Sequence, residues 1–157
     1  MDKLKIRRYE AKDNPVVWDL HWLGLTQNGV ERTDEVHPWH RDFDNIEEVY
    51  FKDGDFIVGE INGQVVASGA FKKVDKEIAE IKRMRVHPDF QHKGFGQEIL
   101  EELEKRAREK GFKKMKLDTG RKWTSARKFY EKNGYKEAGK HLFSNGYDAI
   151  LYEKYLS

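Results

Sequence analysis

The chain has 157 residues, enough for one domain with a substantial core and too few for two ordinary ones. Its 30 lysines and arginines stand against 28 acidic residues, and a net charge of +2 gives no broad electrostatic case for binding nucleic acid or an anionic membrane. With no cysteine, a disulfide framework, a cysteine nucleophile and thiolate metal sites are all excluded.

Leu4-Lys5-Ile6-Arg7 alternates like an opening strand. Asn14-Pro15 reads as a helix start, with Asn capping and Pro in the first turn. Over Val16–Leu25, Val17, Leu20, His21 and Gly24 share one helical face and Trp18, Trp22 and Leu25 another. Residues 31–50 hold a polar run, an aromatic loop His37-Pro38-Trp39-His40 and a short helical pattern at Ile46–Tyr50. Phe56–Ile61 and Gln64–Phe71 are β-rich runs separated by Asn62-Gly63, the strongest two-residue signal for a type I′ hairpin. A reversal at Val74–Glu77 leads into Ile78–Val86, which completes a meander of three antiparallel strands and stops at His87-Pro88. Gly96–Lys110 forms a helix with Ile99, Leu103 and Ala107 on one face, stopped by Gly111. Lys114–Asp118 is a short strand, Ser125–Asn133 a short helix ended by Gly134, and Asp148–Tyr155 a last strand. This mixed order predicts an α+β fold, a largely antiparallel sheet flanked by helices, in one domain over residues 1–157.

Between the Val86 strand and its helix lies Gln91-His92-Lys93-Gly94-Phe95-Gly96. Its glycines permit a tight turn with open N–H groups, and the unsatisfied donors of the helix N-terminus add to them, so a pyrophosphate fits there. A Rossmann fingerprint is excluded because position 99 is Ile, and no Gly-Lys-Ser/Thr marks a Walker loop. Gln91-x-x-Gly94-x-Gly96, preceded by Val86-His87-Pro88 and followed by an amphipathic helix, closely resembles the acyl-coenzyme A signature of the GNAT acetyltransferase superfamily. Ala126-Arg127-Lys128-Phe129-Tyr130-Glu131-Lys132-Asn133-Gly134-Tyr135 resembles a second motif of that family. The resemblance is specific over roughly residues 78–135, looser over 56–77 and 136–157, and topological before that. It implies that the fourth and fifth strands, 78–86 and 114–118, splay apart to admit the pantetheine arm of acetyl-coenzyme A.

Acetyl transfer to an amine needs a neutral nitrogen, stabilisation of the developing oxyanion and a proton for the departing thiolate. Glu80 and Met84, four apart on a strand, share a face unless a bulge intervenes. The resemblance implies that the backbone of Met84, Arg85 and Val86 pairs with pantetheine, with the Met84 N–H facing the thioester carbonyl, and that Gln91, His92, Lys93, Gly94, Phe95 and Gly96 cradle the phosphates. It offers Glu80, Asp118 or water as the base. It places Tyr130 beside the sulfur, and a phenol suits the acid role because it stays protonated at neutral pH. Ala126, Phe129 and Tyr130 also form a core-type stripe, and Phe129 is left to packing. Many family members carry asparagine where this chain has Trp123, so that contact is either lost here or supplied by Thr119, Thr124 or Arg121.

His37-x-x-His40 has zinc-like spacing, but without cysteine or a His-Glu-x-x-His helix no metal site is expected. Trp22, Trp39 and Tyr50 are expected to line the acceptor pocket, with specificity residing in residues 14–52. Lys105, Arg106, Arg108 and Lys110 alternate with Glu101, Glu102, Glu104 and Glu109, which reads as a solvated helix face and not a nucleic-acid surface. No signal peptide or membrane-length apolar run is visible, so a cytoplasmic location is expected, and a homodimer stays open. The resemblance therefore implies an acetyl-coenzyme A-dependent N-acetyltransferase that acts on a primary amine of a small molecule or peptide by direct transfer in a ternary complex. The alternative is a non-catalytic acyl-coenzyme A sensor that engages a protein partner.

Overall fold

Seven strands form one sheet in the order β1-β2-β3-β4-β5-β7-β6, seen in a computed structural model that describes residues 2–30 and 38–157. In chain order the elements are β1 (Lys5–Arg8), α1 (Asn14–Gln27), α2 (Ile46–Tyr50), β2 (Asp55–Ile61), β3 (Gln64–Lys73) and β4 (Ile78–Val86), then α3 (Phe95–Glu109), β5 (Lys114–Gly120), α4 (Thr124–Lys132), β6 (Lys136–Leu142) and β7 (Asp148–Tyr155). The β2–β3 hairpin turns at Asn62 and Gly63, whose φ angles of 49° and 83° are both positive, as a type I′ turn requires.

Side-chain alternation along β2 and β3 builds two cores, one on each face of the sheet. On one face α1, α2 and the 3-10 turn Pro38–Asp44 cover Phe56, Val58 and Ala70, with Val17, Leu20 and Phe43 packed against them. On the other, α3 lays Ile99, Leu100 and Leu103 on Ile57, Phe71 and Ile81, joined by Met115 of β5 and Tyr130 of α4. Each such aliphatic side chain contributes about 2 kcal/mol when fully buried, so α3 is held mainly by its apolar stripe.

Several local outcomes differ from the sequence expectations. Asn14 does not cap α1; its side-chain amide donates to the Tyr9 hydroxyl and the Phe43 carbonyl, at 3.1 and 2.7 Å, and ties the helix start to the 3-10 turn. That turn replaces the loop expected around Pro38–His40. Strand β6, exposed at every residue, pairs only with β7 at the sheet edge, which left it no apolar alternation to read. No helix among the described residues is long and apolar enough to cross a membrane.

Two irregularities in β4 set the geometry of the sheet's open end. Its parallel pairing with β5 covers only Ile78↔Lys114 to Glu80↔Lys116, and beyond that the two strands part. Opposite β3, Ala70 pairs with Lys82 and Ser68 with Arg85, so Arg83 and Met84 together oppose Gly69 in a bulge. Arg83 takes the left-handed φ of 58°, and the Ser68 hydroxyl donates to its carbonyl at 2.9 Å. The extra residue reverses the alternation. Ala79 and Ile81 point to the α3 face before the bulge, and Met84 and Val86 do so after it. Glu80 and Met84 therefore lie on opposite faces, contrary to the simple strand expectation.

Candidate active site

Below the open end of β4 the chain makes a 3-10 turn, Pro88–Phe90, fixed by the Asp89 N–H donating to His87 Nδ1 at 3.1 Å. The Gln91 side chain donates back to the Val86 carbonyl at 3.1 Å, which holds the loop against the strand end. Gly94 then takes a φ of +86° and α3 starts, its first backbone bond running from the Glu98 N–H to the Gly94 carbonyl. The N–H groups of Phe95, Gly96 and Gln97 are thus left for an external acceptor, at the positive end of the helix dipole. A Cβ built on Gly96 would meet nothing nearer than Val86 and Phe129, at 3.6 and 3.7 Å. These are ordinary packing distances, so the fold would admit a methyl group at Gly96 and does not itself require glycine there, and a pyrophosphate fits the donor set.

Tyr130 lies across the gap between β4 and β5. Its ring packs on Phe129 and Tyr135 and is 7% exposed, yet its hydroxyl has no hydrogen-bond partner among the described residues. Burial pushes the phenol pKa well up, Arg85 counteracts and Asp118 adds, so Tyr130 feels both charges and remains protonated. Asp118 stands two residues past the last β4–β5 pair, on the open part of the gap. Burial, assisted by Glu80, raises its pKa against the pull of Lys82 and Lys116. Glu80 sits deeper, where the strands are still paired, flanked by Lys72 of β3 and Lys116 of β5.

The face covered by α1 carries a polar system that the sequence did not reveal. Asp42 of the 3-10 turn accepts from Arg83 Nε and Nη2, at 2.9 and 2.5 Å, and from the Tyr50 hydroxyl. Arg83 also lies over the Phe43 ring at 4.7 Å. Next to it, Arg85 donates through Nη1 to the Met84 carbonyl at 3.0 Å, and its Nη2 stands 3.3 Å from His21 Nδ1. His21 Nε2 is 2.7 Å from His40 Nδ1. Donation from Arg85 makes His21 Nδ1 the acceptor, so its proton resides on Nε2 and is donated to His40. Burial, with Arg85 and Arg83 nearby, drives the His21 pKa far down and keeps the ring neutral. Arg85 Nε is out of contact with water and has no hydrogen-bond partner among the described residues.

Room for Arg85 comes from α1. A Cβ at Gly24 would stand 2.6 Å from Arg85 Cδ and 2.7 Å from Nε. Glycine inside a helix costs about 1 kcal/mol relative to alanine, and here that cost admits one side chain.

The expected pocket lining needs correction. Tyr50 has no exposed surface and spends its hydroxyl on Asp42, so it belongs to the core. Trp22 is also buried, against His21 and His40, with ring centroids 5.7 and 5.3 Å away. His37 and the side chain of Trp39 lie outside the described residues. His40 sits beside His21, which no sequence spacing announces. Trp123, where the family asparagine was expected, lies face-on to Gly120 at the end of β5, with its ring centroid 5.8 Å from that of Tyr147. Arg85, expected to act through its backbone, turns its side chain to the α1 face.

The profile of the acetyltransferase (GNAT) family matches residues 16–135. An amino-acid acetyltransferase of Azotobacter vinelandii is 31% identical over 87 residues, covering 55% of this chain and 19% of that protein. The alignments span from 16% to 62% of the lengths of four such curated relatives. Among solved structures, an acetyltransferase from Streptococcus agalactiae superposes with a TM-score of 0.85 at 24% identity, covering 98% of each chain. An acetyltransferase from Salmonella typhimurium, solved with acetyl-coenzyme A, superposes with a TM-score of 0.76 at 17% identity, covering 98% of this chain and 94% of that one. At these identities the structural likeness establishes the fold.

Proposed function

Since the chain belongs to the acetyltransferase (GNAT) family, we propose that it moves an acetyl group from acetyl-coenzyme A directly onto a primary amine, with both substrates bound together. The observation that carries this reading is the Tyr130 hydroxyl, unpartnered among the described residues, across a strand gap whose lower end opens on the Gly94–Gly96 donor loop. Bound acetyl-coenzyme A supplies an activated acyl group as a thioester. The N–H groups of Phe95, Gly96 and Gln97, with Lys93 nearby, neutralise phosphate charge. The separated edge of β4 offers backbone donors and acceptors at Met84 and Val86. Asp118, whose affinity for protons burial has raised, takes the proton of the attacking amine directly or through water. Tyr130 holds the proton that the departing sulfur needs.

Thiol release on mixing the protein, acetyl-coenzyme A and a panel of amines tests the reading. Coenzyme A binding without release on any amine would favour a sensor. Gly96→Val probes the loop separately. The side chain would fill the space above α3, so coenzyme A binding measured by calorimetry is expected to weaken more than about tenfold while circular dichroism stays native. Unchanged affinity would remove the loop from the cofactor site.

Asp118→Asn is expected to lower kcat/KM about 100-fold and to flatten the acidic limb of its pH profile. The sign comes from the raised pKa: the base works only when ionised, so activity falls as pH drops through that value. The same shift means that ionised Asp118 costs stability, so the Asn variant should have the higher Tm at pH 8, with the advantage shrinking towards pH 4. Glu80→Gln should keep the limb. Loss of the limb in the Glu80 variant alone would transfer the base role to Glu80.

A further inference from the structure

Arg85 is a half-buried cation, its Nε fully enclosed, that the transfer chemistry does not use. Its neighbour Arg83 is neutralised by Asp42, whereas no carboxylate among the described residues pairs with Arg85. Its hydrogen bonds go to a backbone carbonyl and a neutral histidine, which leave the positive charge uncompensated, and Nε is orphaned. Taking a guanidinium out of water without a counter-ion is expensive, and the chain incurs this cost while giving up a side chain at Gly24 to fit it. Burial and Arg83 lower the Arg85 pKa only to about 10, so the group stays charged at neutral pH.

Position says what the charge is for. After the bulge, Met84 and Val86 face α3 and the loop proposed for the donor, while Arg85 faces α1, the side left for an acceptor when the donor lies along the α3 side. Asp118 and Arg85 stand on facing strands beyond the last β4–β5 pair, and both lie on the α1 face, since Leu117 of β5 and Met84 and Val86 of β4 turn to the α3 side; both charges act on the Tyr130 hydroxyl. A molecule bearing an amine and a carboxylate on neighbouring atoms matches that pair, with nitrogen towards Asp118 and carboxylate towards Arg85. The planar guanidinium fork suits a carboxylate. We propose that Arg85 binds the carboxylate of the acceptor, and that the acceptor class is a free amino acid. The proposal rests on the acetyl-transfer reading of the same site.

The test compares free amino acids with the matching amino-acid amides as acceptors, scoring thiol release from acetyl-coenzyme A. The wild type should prefer acids to amides by about 100-fold in kcat/KM, since the amide leaves the buried charge unpaired. Arg85→Met should collapse that ratio to near one, and Arg85→Lys should retain part of it. Gly24→Ala keeps the charge but displaces it, and should lower the ratio at least about tenfold while improving helix propensity. It decides the matter if Arg85→Met does not fold. Equal use of acids and amides by the wild type, or an unchanged ratio in these variants, overturns the proposal while leaving amine acetylation standing. If no amine is turned over, the transfer reading fails and calorimetry with N-acetyl amino acids in the presence of coenzyme A decides. Binding by the wild type that Arg85→Met loses sustains the carboxylate site, and no such difference refutes it.

Discussion

Tyr130→Phe is expected to lower kcat about 1,000-fold while coenzyme A affinity stays within about twofold. The substitution removes one hydroxyl and keeps the ring, whose centroid contacts with Phe129 and Tyr135 are 5.2 and 5.6 Å. Since that hydroxyl is partnerless among the described residues, its loss should leave Tm equal or slightly higher. A fall in rate with intact stability is the mark of a group retained for chemistry. The pH dependence sharpens the expectation. Burial holds the phenol protonated far above its ordinary range, so the wild-type rate should rise through the acidic limb and show no alkaline decline from Tyr130 up to about pH 10. Stopped-flow measurement of thiol release across pH checks both statements. An unchanged kcat in the Phe variant would assign the proton to water.

Asp42→Ala is expected to destabilise the fold by about 3–5 kcal/mol, read from urea unfolding, because it strands Arg83 in a site where each side chain of the pair is only 13% exposed. Replacing both partners, Asp42→Leu with Arg83→Met, should recover most of the loss, since an apolar pair leaves no unmatched charge. The pH signature has a definite sign. Burial pushes the Asp42 pKa up, but the hydrogen bond and charge of Arg83 outweigh it and the net value falls below the usual range. The stabilisation is full above the unfolded-state value of about 4 and is lost as pH falls through the depressed folded value, a limb the Ala variant should lack. A loss of less than about 1 kcal/mol would mean that the pair behaves as a surface salt bridge. Since Arg83 is the bulge residue of β4, this variant should also slow catalysis by loosening the strand edge beyond it.

What the sequence disclosed was what neighbours in sequence decide. The Asn62-Gly63 hairpin, the bounds of β4 and β7, and the stripe of α3 all arise from periods and turn residues a few positions apart, and all are present. The turn at Gly94 and the start of α3 were legible for the same reason: the glycines and the helix start are contiguous. The polar system under α1 was not, because its parts are far apart in the chain. Gly24 makes way for Arg85, His21 meets His40, and Asp42 meets Arg83, and no local pattern pairs them. The bulge was hidden for another reason. A left-handed residue is usually announced by glycine or asparagine, and here it is arginine, held by its side-chain ion pair and by Ser68. Tyr50 was expected in a pocket wall because its acidic partner, eight residues earlier, gave no sign of reaching it.

The bulge at Arg83 divides β4 into two stretches that answer to different demands. Before it, a substitution alters the packing of Ala79 or Ile81 and will register as a change in stability. After it, Met84, Arg85 and Val86 line a strand edge without a β5 partner, and a substitution there will register in which molecules are accepted. Ironing out the bulge with Arg83 retained would put the second stretch out of phase, turning Arg85 to the α3 face and Met84 to the α1 face. On the proposed reading, new acceptor preferences are therefore open to this scaffold by point changes beyond the bulge, whereas flattening the bulge is closed to it.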